Sequence, residues 1–196
     1  MNPTSSEVDV DGLASAAAAG EPDAFEALVR IVYVRIYRWA LAGVGDADDA
    51  EDVTQRVLVA LHAKLRGWEG RGRFTTWLYR ITANEASSWR RRAQSLLRRA
   101  RQAQEATVGV VREASAEPTV DRQRLMERVE AHFLRLPRRQ REVMDLVDLQ
   151  GFSPKETAEM LGLNDSTVRA NLFKARRALR SRLLVEDPHA HERLEG

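Results

Sequence analysis

The chain has 196 residues, of which 43% are hydrophobic, 31% charged and 6% aromatic, and its formal net charge is +2. This composition excludes collagen-like and globally disordered chains, and the absence of cysteine excludes disulfides, cysteine-ligated zinc and iron–sulfur clusters. No apolar run is long enough to predict a membrane span, and the acidic start lacks the basic and apolar regions of a secretory signal. We therefore expect a cytoplasmic protein without membrane insertion, made of one domain or two small ones.

The small net charge conceals a strong asymmetry along the chain. Residues 1–52 contain 11 acidic and 3 basic side chains, whereas residues 53–102 contain 12 basic and 2 acidic ones. Residues 137–184 form a second basic block with 10 basic and 6 acidic side chains, and residues 185–196 form an acidic tail. Two separate basic blocks indicate two surfaces for one polyanion. The alternative is that each block is a solvated arginine-rich face without a partner.

Apolar residues recur at intervals of three and four through the first half of the chain, which predicts helices. The first helix is expected from Pro22 to about Ala42, and the second begins near Asp46, a favourable N-cap. A third runs from about Phe74 to an arginine run at 90–92. The sequence RGWEGRGRF, which separates the second helix from the third, contains three glycines and predicts a loop.

The start of the second predicted helix is unusually acidic. Its five carboxylates are Asp46, Asp48, Asp49, Glu51 and Asp52. Acidic residues in a first helical turn complement the helix dipole, but five exceed what capping requires. We interpret the cluster as a docking surface for a partner with basic helices, where charge complementarity aids encounter and register.

Aromatic and arginine residues alternate between positions 66 and 92. Such a mixture suits single-stranded nucleic acid, because unpaired bases stack or enter pockets while the backbone follows positive charge. Phe74 and Trp77 lie on the apolar stripe and are expected in the core. Tyr79, Arg80, Asn84 and the glycine-rich loop lie off that stripe and are the better candidates for nucleic-acid contact.

Residues 93–122 lose aromatic residues and predict a linker, partly helical at its start, before a second compact unit. There, Ser153 and Glu156 form a capping box around Pro154 at the first helical position. That helix ends at Gly162, and a second helix follows, capped by Asp165 or Ser166. This pattern predicts a helix-turn-helix.

The outer face of the last predicted helix is basic, as expected for a helix that enters the major groove of DNA. Its cationic side chains are Arg169, Lys174, Arg176, Arg177 and Arg180. The alternative is a plain helical hairpin with a solvated basic face.

Catalytic motifs are absent from the sequence: it has no Walker loop, no HExxH and no GxSxG. A nuclease would need clustered carboxylates or histidines in a pocket, and the spacing within the acidic cluster is that of one helix turn rather than of a metal cage. We therefore expect no catalytic residues, no metal site and no cofactor.

Taken in order, these motifs resemble the extracytoplasmic-function (group IV) bacterial RNA polymerase sigma factors. DADDAEDVTQRVLVALH (46–62) is similar to the region 2 helix that docks on the clamp helices of the largest polymerase subunit. GRFTTWLYRITANEASSWRRR (72–92) is similar to the segment that opens and recognises the −10 promoter element, and residues 136–183 resemble region 4, which recognises the −35 element.

The resemblance implies an all-α fold of two small helical domains joined by a flexible linker. One is a region 2-like helical bundle and the other a region 4-like helix-turn-helix. The expected divisions are an acidic N-terminal extension (1–19), the region 2-like domain (20–95), the linker (96–123), the region 4-like domain (124–184) and the acidic tail (185–196).

The resemblance also implies roles for individual residues. Polymerase contacts are expected from Asp49, Glu51, Asp52 and Gln55. Contacts to −10 DNA are expected from Arg71, Arg73, Tyr79, Arg80 and Asn84, and contacts to −35 DNA from Thr167, Arg169, Lys174 and Arg176. Asn84 stands where the family recognises an extruded base, and the loop at 67–73 would cover that pocket.

The implied function is promoter-specific transcription initiation without catalysis by the chain itself. The expected partners are core RNA polymerase, through its clamp helices and flap, promoter DNA, and an anti-sigma factor. Two departures from the family pattern bear on specificity. Arg56 and Val57 stand where an acidic residue and phenylalanine are common, and Ala170 and Asn171 stand where serine and arginine are common.

A rival interpretation is a two-domain helix-turn-helix transcription regulator that binds only duplex DNA. It predicts no complex with polymerase and gives no role to residues 67–92 or to the acidic helix.

Overall fold

The computed structural model describes residues 9–103 and 121–186, and it describes the side chains of residues 9–96 and 126–185. These parts of the chain contain helices and no strand, which confirms the all-α prediction. The helices are α1 (Val10–Ala18), α2 (Pro22–Val44), α3 (Ala47–Lys64), α4 (Phe74–Ala103), α5 (Asp121–Leu134), α6 (Arg138–Met144), α7 (Pro154–Leu161) and α8 (Asp165–Glu186). None of them is long and apolar enough to cross a bilayer.

The chain divides into two compact units, Met1–Ser87 and Ser88–Gly196. The division falls inside α4, earlier than the boundary at residue 95 that the sequence pattern favoured. α4 also continues beyond the arginine run to Ala103, into the segment predicted as a linker. Of the predicted divisions, residues 1–8 of the extension, 104–120 of the linker and 187–196 of the tail lie outside the described residues.

The N-terminal segment contributes a helix to unit 1 that the sequence pattern did not indicate. α1 lies within residues 1–19, and its N-cap is Asp9, whose side chain accepts a hydrogen bond from the Gly12 N–H at 2.8 Å. Ala14 and Ala17 are buried, and α1 packs against α2. Alanine has the highest helix propensity and a small side chain, so this alanine-rich stretch forms a close-packed helix with little apolar bulk.

The core of unit 1 lies where α2 and α3 pack together. Six aliphatic side chains at helical spacing are fully buried there: Leu28, Val32 and Ile36 of α2, and Val53, Val57 and Leu61 of α3. Complete burial of each contributes about 1.5–3 kcal/mol. α2 ends at Gly45, which has φ 87° in the left-handed region, and the Asp46 side chain caps α3 by accepting from the Asp49 N–H at 3.1 Å, as predicted.

In unit 2, α7 and α8 form the predicted helix-turn-helix against α6. The capping box is confirmed, because the Ser153 N–H donates to the Glu156 carboxylate at 2.9 Å and the Glu156 N–H donates to Ser153 Oγ at 3.2 Å. Gly162 closes α7 with φ 64°. Val143 and Val168 are buried in the core beneath.

The predicted cap of α8 is wrong. Asn164 caps the helix instead, since its Oδ1 accepts from the Thr167 N–H at 2.8 Å. Asp165 therefore lies in the first helical turn, where its charge faces the positive end of the helix dipole.

One arginine of the second basic block is structural. Arg141 is 9% exposed, and its guanidinium donates to the carbonyl oxygens of Leu134 and Leu136, each at 2.8 Å. Burial lowers the pKa of this guanidinium. The side chain satisfies carbonyl groups near the end of α5 that lack a helical partner, so it is not part of a DNA-binding surface.

Candidate polymerase and nucleic-acid interfaces

The outer face of α8 is a basic surface formed by the last helix of the helix-turn-helix. Its predicted cations are all exposed, namely Arg169, Lys174, Arg176, Arg177 and Arg180. The opposite face is buried through Val168, Leu172 and Ala175. Thr167 is half-buried, and its carbonyl accepts from the Asn171 side-chain amide at 2.8 Å. The N-terminal turn of α8 thus presents polar and basic groups in the manner of a helix that enters the major groove.

Two of the predicted −35 arginines are already paired with carboxylates. Arg169 Nε lies 2.7 Å from Asp165 Oδ2, one turn earlier in α8. Arg176 makes a bidentate pair with Asp148, at 3.0 Å through Nε and 2.5 Å through Nη2, and this hydrogen bonding raises the pKa of Arg176. Any anion that binds Arg176 would have to displace Asp148, whereas Lys174 faces solvent without an acidic group on its own turn.

Asp148 belongs to a single π-helical turn, Asp145–Leu149, that extends α6. The turn is closed by the Gln150 backbone N–H, which donates to the Asp145 carbonyl at 3.0 Å, and the Gln150 side-chain amide donates to the Asp145 carboxylate at 2.6 Å. π-turns are rare, and they often occur at functional positions. This one brings an acidic side chain against α8 from outside the helix-turn-helix.

The centre of the exposed α8 face includes two residues that the sequence pattern did not select, Ala170 and Phe173. At 100° per residue, Ala170, Phe173 and Arg177 lie opposite the buried face, and Phe173 is 65% exposed. Helical phase identifies this face in the sequence, whereas a pattern of cations alone passes over its apolar residues. Apolar side chains such as phenylalanine contact the thymine methyl group in the major groove, so this face combines charge with an apolar contact.

The first basic surface lies in unit 1, on the loop before α4 and on the first turns of α4. Arg71 and Arg73 are exposed on the loop, where Gly70 (φ 71°) and Gly72 (φ 84°) adopt the left-handed conformation. Arg80 and Asn84 are exposed on α4. Both lie off the buried face, as predicted, and since they stand four residues apart they share one face of the helix.

Tyr79 does not lie where the sequence pattern placed it. Its side chain is only 5% exposed, and its ring packs edge-on against Trp39 with 5.3 Å between ring centroids. α4 buries a wider face than the apolar stripe indicated, because the bulky Trp39 of α2 reaches it. The prediction that Tyr79 lies off the buried face is wrong, and the ring is not available to stack on a base.

The aromatic residues on either side of the loop pack against one another. Phe74 is fully buried, as predicted, with its ring centroid 5.5 Å from Trp68 and 5.6 Å from Trp77. Trp68 is 9% exposed and Trp77 is half-buried. Trp68 and Phe74 stand at the two ends of the loop, so their contact brings these ends together. The arginines between them, Arg71 and Arg73, are exposed to solvent.

The acidic surface of unit 1 lies on α3. Asp52 and Gln55 are exposed and line a shallow depression together with Arg56 and Val59, which is 72% exposed. The opposite face of α3 is buried. Carboxylates beside an exposed apolar side chain make a surface suited to a partner protein.

Glu51 and Asp49 are less accessible than the other two predicted polymerase contacts. Both are half-buried, and Glu51 accepts a hydrogen bond from the Tyr33 hydroxyl at 3.0 Å. This bond raises the pKa of Tyr33. Tyr33 and Val34 of α2 are 37% and 61% exposed. The sequence pattern did not select them as surface contacts, because they lie outside both the apolar stripe and the acidic cluster.

Within the described ranges, no three His, Asp or Glu side chains are grouped to hold a metal ion. The α3 surface is acidic and partly apolar, whereas the surface of α8 and the surface formed by the loop and α4 are basic.

Comparison with known proteins places the chain in a family. Residues 28–96 match the family model for Sigma-70 region 2, and residues 126–179 match the one for Sigma-70 region 4. The chain is 30% identical over 175 residues to the ECF RNA polymerase sigma factor SigM of Mycobacterium tuberculosis, a match that covers 88% of this chain and 83% of SigM.

Two solved structures have a similar fold. CnrH, solved in complex with the cytosolic domain of CnrY, matches with a TM-score of 0.63 and 26% identity over 91% of this chain and 99% of that one. The sigma factor RpoE of Bartonella quintana, solved with the anti-sigma factor NepR, matches with a TM-score of 0.64 and 24% identity over 82% of this chain and 97% of that one. The chain belongs to the extracytoplasmic-function family of RNA polymerase sigma factors, the proteins that direct transcription initiation.

Proposed function

We propose that this sigma factor docks on core RNA polymerase through the exposed side of α3, and that Asp52 and Gln55 make the principal contacts. The observation that carries this proposal is that both side chains are exposed around Val59, on the helix face opposite the core. Val59 offers an apolar contact beside the polar groups of Asp52 and Gln55, a combination that protein–protein interfaces contain. The polymerase element expected to bind it is the pair of clamp helices, and unit 2 is expected to meet the flap.

Unit 1 also captures the unpaired −10 strand in this proposal. Asn84 and Arg80 contact one extruded base and its phosphate, while Arg71 and Arg73 follow the backbone from the loop. Unstacking a base costs a few kcal/mol, so these groups must supply at least that much in favourable contacts. Tyr79 has no part in this, because its ring is buried.

Unit 2 binds the −35 element as duplex DNA. Thr167, Arg169 and Lys174 lie on the first turns of α8 and approach the base edges and phosphates, while Arg176 exchanges Asp148 for a phosphate. Ala170 and Asn171 replace the family's common serine and arginine, and we expect the preferred −35 sequence to differ accordingly.

The chain contributes binding and not catalysis in this account, and it acts in the cytoplasm, where RNA polymerase transcribes. An anti-sigma factor is the proposed regulator, by analogy with RpoE, which was solved with NepR. Such a partner would cover the α3 surface or the basic surfaces and so prevent assembly with polymerase.

A test of polymerase docking separates this proposal from a regulator that binds only duplex DNA. Core RNA polymerase is mixed with the wild-type protein, with a D52A/Q55A variant, or with a D23A variant, and each mixture is resolved by gel filtration. Asp23 is exposed in the first turn of α2 and matches the change in charge. We expect wild type and D23A to co-elute with polymerase and D52A/Q55A to lose about tenfold or more in affinity. Co-elution of D52A/Q55A at wild-type affinity would contradict the proposed surface, and failure of wild type to co-elute would favour the rival.

A further inference from the structure

The N-terminal helix carries a contact that the family comparison does not explain. The Phe74 N–H, at the start of α4, donates to Asp11 Oδ1 of α1 at 2.8 Å, across 63 residues of sequence. The first N–H groups of a helix have no partner within the helix. In α4, the N–H groups of Thr76 and Trp77 donate to the Arg73 carbonyl at 3.1 and 3.3 Å, and Asp11 supplies the acceptor for Phe74.

α1, which carries this carboxylate, is held in place by its own cap and by packing. Its N-terminus is capped by Asp9, Ala14 and Ala17 are buried, and the helix packs against both α2 and the 3₁₀ turn Leu65–Gly67 that leads into the loop. Asp11 is therefore held by a helix that touches the chain on the entry side of the loop, while its carboxylate binds the backbone on the exit side.

The loop between these two points carries Arg71 and Arg73. It has left-handed glycines at positions 70 and 72, which have many accessible conformations when unconstrained. Two contacts define where the loop ends: the Trp68–Phe74 ring contact and the bond from Phe74 to Asp11. The same bond holds the first residue of α4, the helix that carries Arg80 and Asn84.

We infer that Asp11 is a positioning residue for promoter melting: it touches no DNA, but it orients the loop and the start of α4 for capture of the unpaired −10 strand. This inference rests on the −10 role proposed above for unit 1. Small displacements of binding groups have large effects on rate, so loss of this one backbone contact should weaken strand capture while leaving polymerase docking and −35 binding intact.

The test compares D11A, D11N and D23A, each assembled with core RNA polymerase. D11N keeps an acceptor oxygen, and D23A is the charge-matched control in the first turn of a different helix, α2. The readouts are affinity for a fluorescent single-stranded −10 oligonucleotide, permanganate reactivity of promoter thymines, affinity for −35 duplex, and hydrogen exchange of the Phe74 amide. For D11A we expect about tenfold weaker oligonucleotide binding, reduced permanganate reactivity, unchanged duplex affinity and faster exchange at Phe74. D11N should stay within about threefold of wild type, since an amide oxygen also accepts this bond.

Three outcomes would overturn the inference: oligonucleotide binding by D11A within twofold of wild type, an equal loss in D23A, or a D11A protein without a thermal unfolding transition, since Asp11 would then be needed for folding itself. N84A is run in parallel to separate this inference from the proposed function. If N84A loses oligonucleotide binding and D11A does not, only the role of Asp11 fails. If wild type does not bind the oligonucleotide, or N84A binds as wild type does, the −10 role of unit 1 fails and the inference falls with it.

Discussion

Removal of the Arg169 side chain gives the sharpest test of the −35 surface. Arg169 projects from the first turns of α8, its side chain is 66% exposed, and its structural partner is Asp165 at 2.7 Å. Exposed i,i+4 ion pairs contribute only about 0.3–0.5 kcal/mol to stability. R169A should therefore fold normally, with a free energy of unfolding within about 0.5 kcal/mol of wild type.

The effect on DNA should be several times larger. A base contact from arginine contributes about 1–3 kcal/mol, which corresponds to about 5- to 150-fold weaker binding of −35 duplex. If Arg169 contacts a base in bidentate geometry, lysine will not replace it, because an ammonium lacks the planar fork. If it contacts only a phosphate, R169K should bind nearly as wild type does, and R169A should reduce the salt slope by about one.

The assay is fluorescence anisotropy of the holoenzyme with a −35 duplex, titrated at several salt concentrations. Arg30 is the matched control, since it forms the same kind of exposed i,i+4 pair, with Glu26, but on unit 1. R30A should leave duplex affinity unchanged. Wild-type affinity in R169A, or an equal loss in R30A, would remove Arg169 from the recognition surface.

Three further outcomes are expected. N84A should reduce permanganate reactivity at the −10 element about tenfold or more with polymerase binding unchanged; loss of both together would indicate misfolding. Y79A should lower the free energy of unfolding by about 3–5 kcal/mol, because it removes a buried ring packed on Trp39. A loss of less than about 1 kcal/mol, measured by denaturant unfolding, would contradict the burial of Tyr79. Absorbance titration should show Tyr33 ionising above the ordinary pKa of 10, and Y33F should abolish that step. Because the folded-state pKa is raised, the stability contributed by the Tyr33–Glu51 bond is present below pH about 10 and lost as pH rises through the folded pKa. An unchanged titration in Y33F would assign the shift to another tyrosine.

Local periodicity predicted the helices and most of the buried residues well. Spacing of three and four identified the stripe through Leu28, Val32 and Ile36, and the Ser153–Glu156 capping box located the start of α7. These features are encoded within a few residues, because caps and apolar stripes act inside a single helix.

The predictions that failed concern residues whose surroundings depend on contacts between segments distant in sequence. Tyr79 is off the stripe of its own helix, and contacts from other helices, including the ring of Trp39 in α2, make it a core residue. α1 has a weak apolar pattern, and its helix is supported by packing on α2. No local pattern predicts the pairing of Asp11 with the Phe74 amide or of Asp148 with Arg176, because each joins segments that only the tertiary fold brings together.

Run-off transcription with purified core polymerase and a genomic library tests the central claim most directly. We expect core polymerase alone to give no specific start sites, and addition of this protein to give initiation at a defined set of promoters that share a −35 and a −10 element. The same protein carrying D52A/Q55A should give few or none of those transcripts. Absence of specific initiation with the wild-type chain would contradict the account.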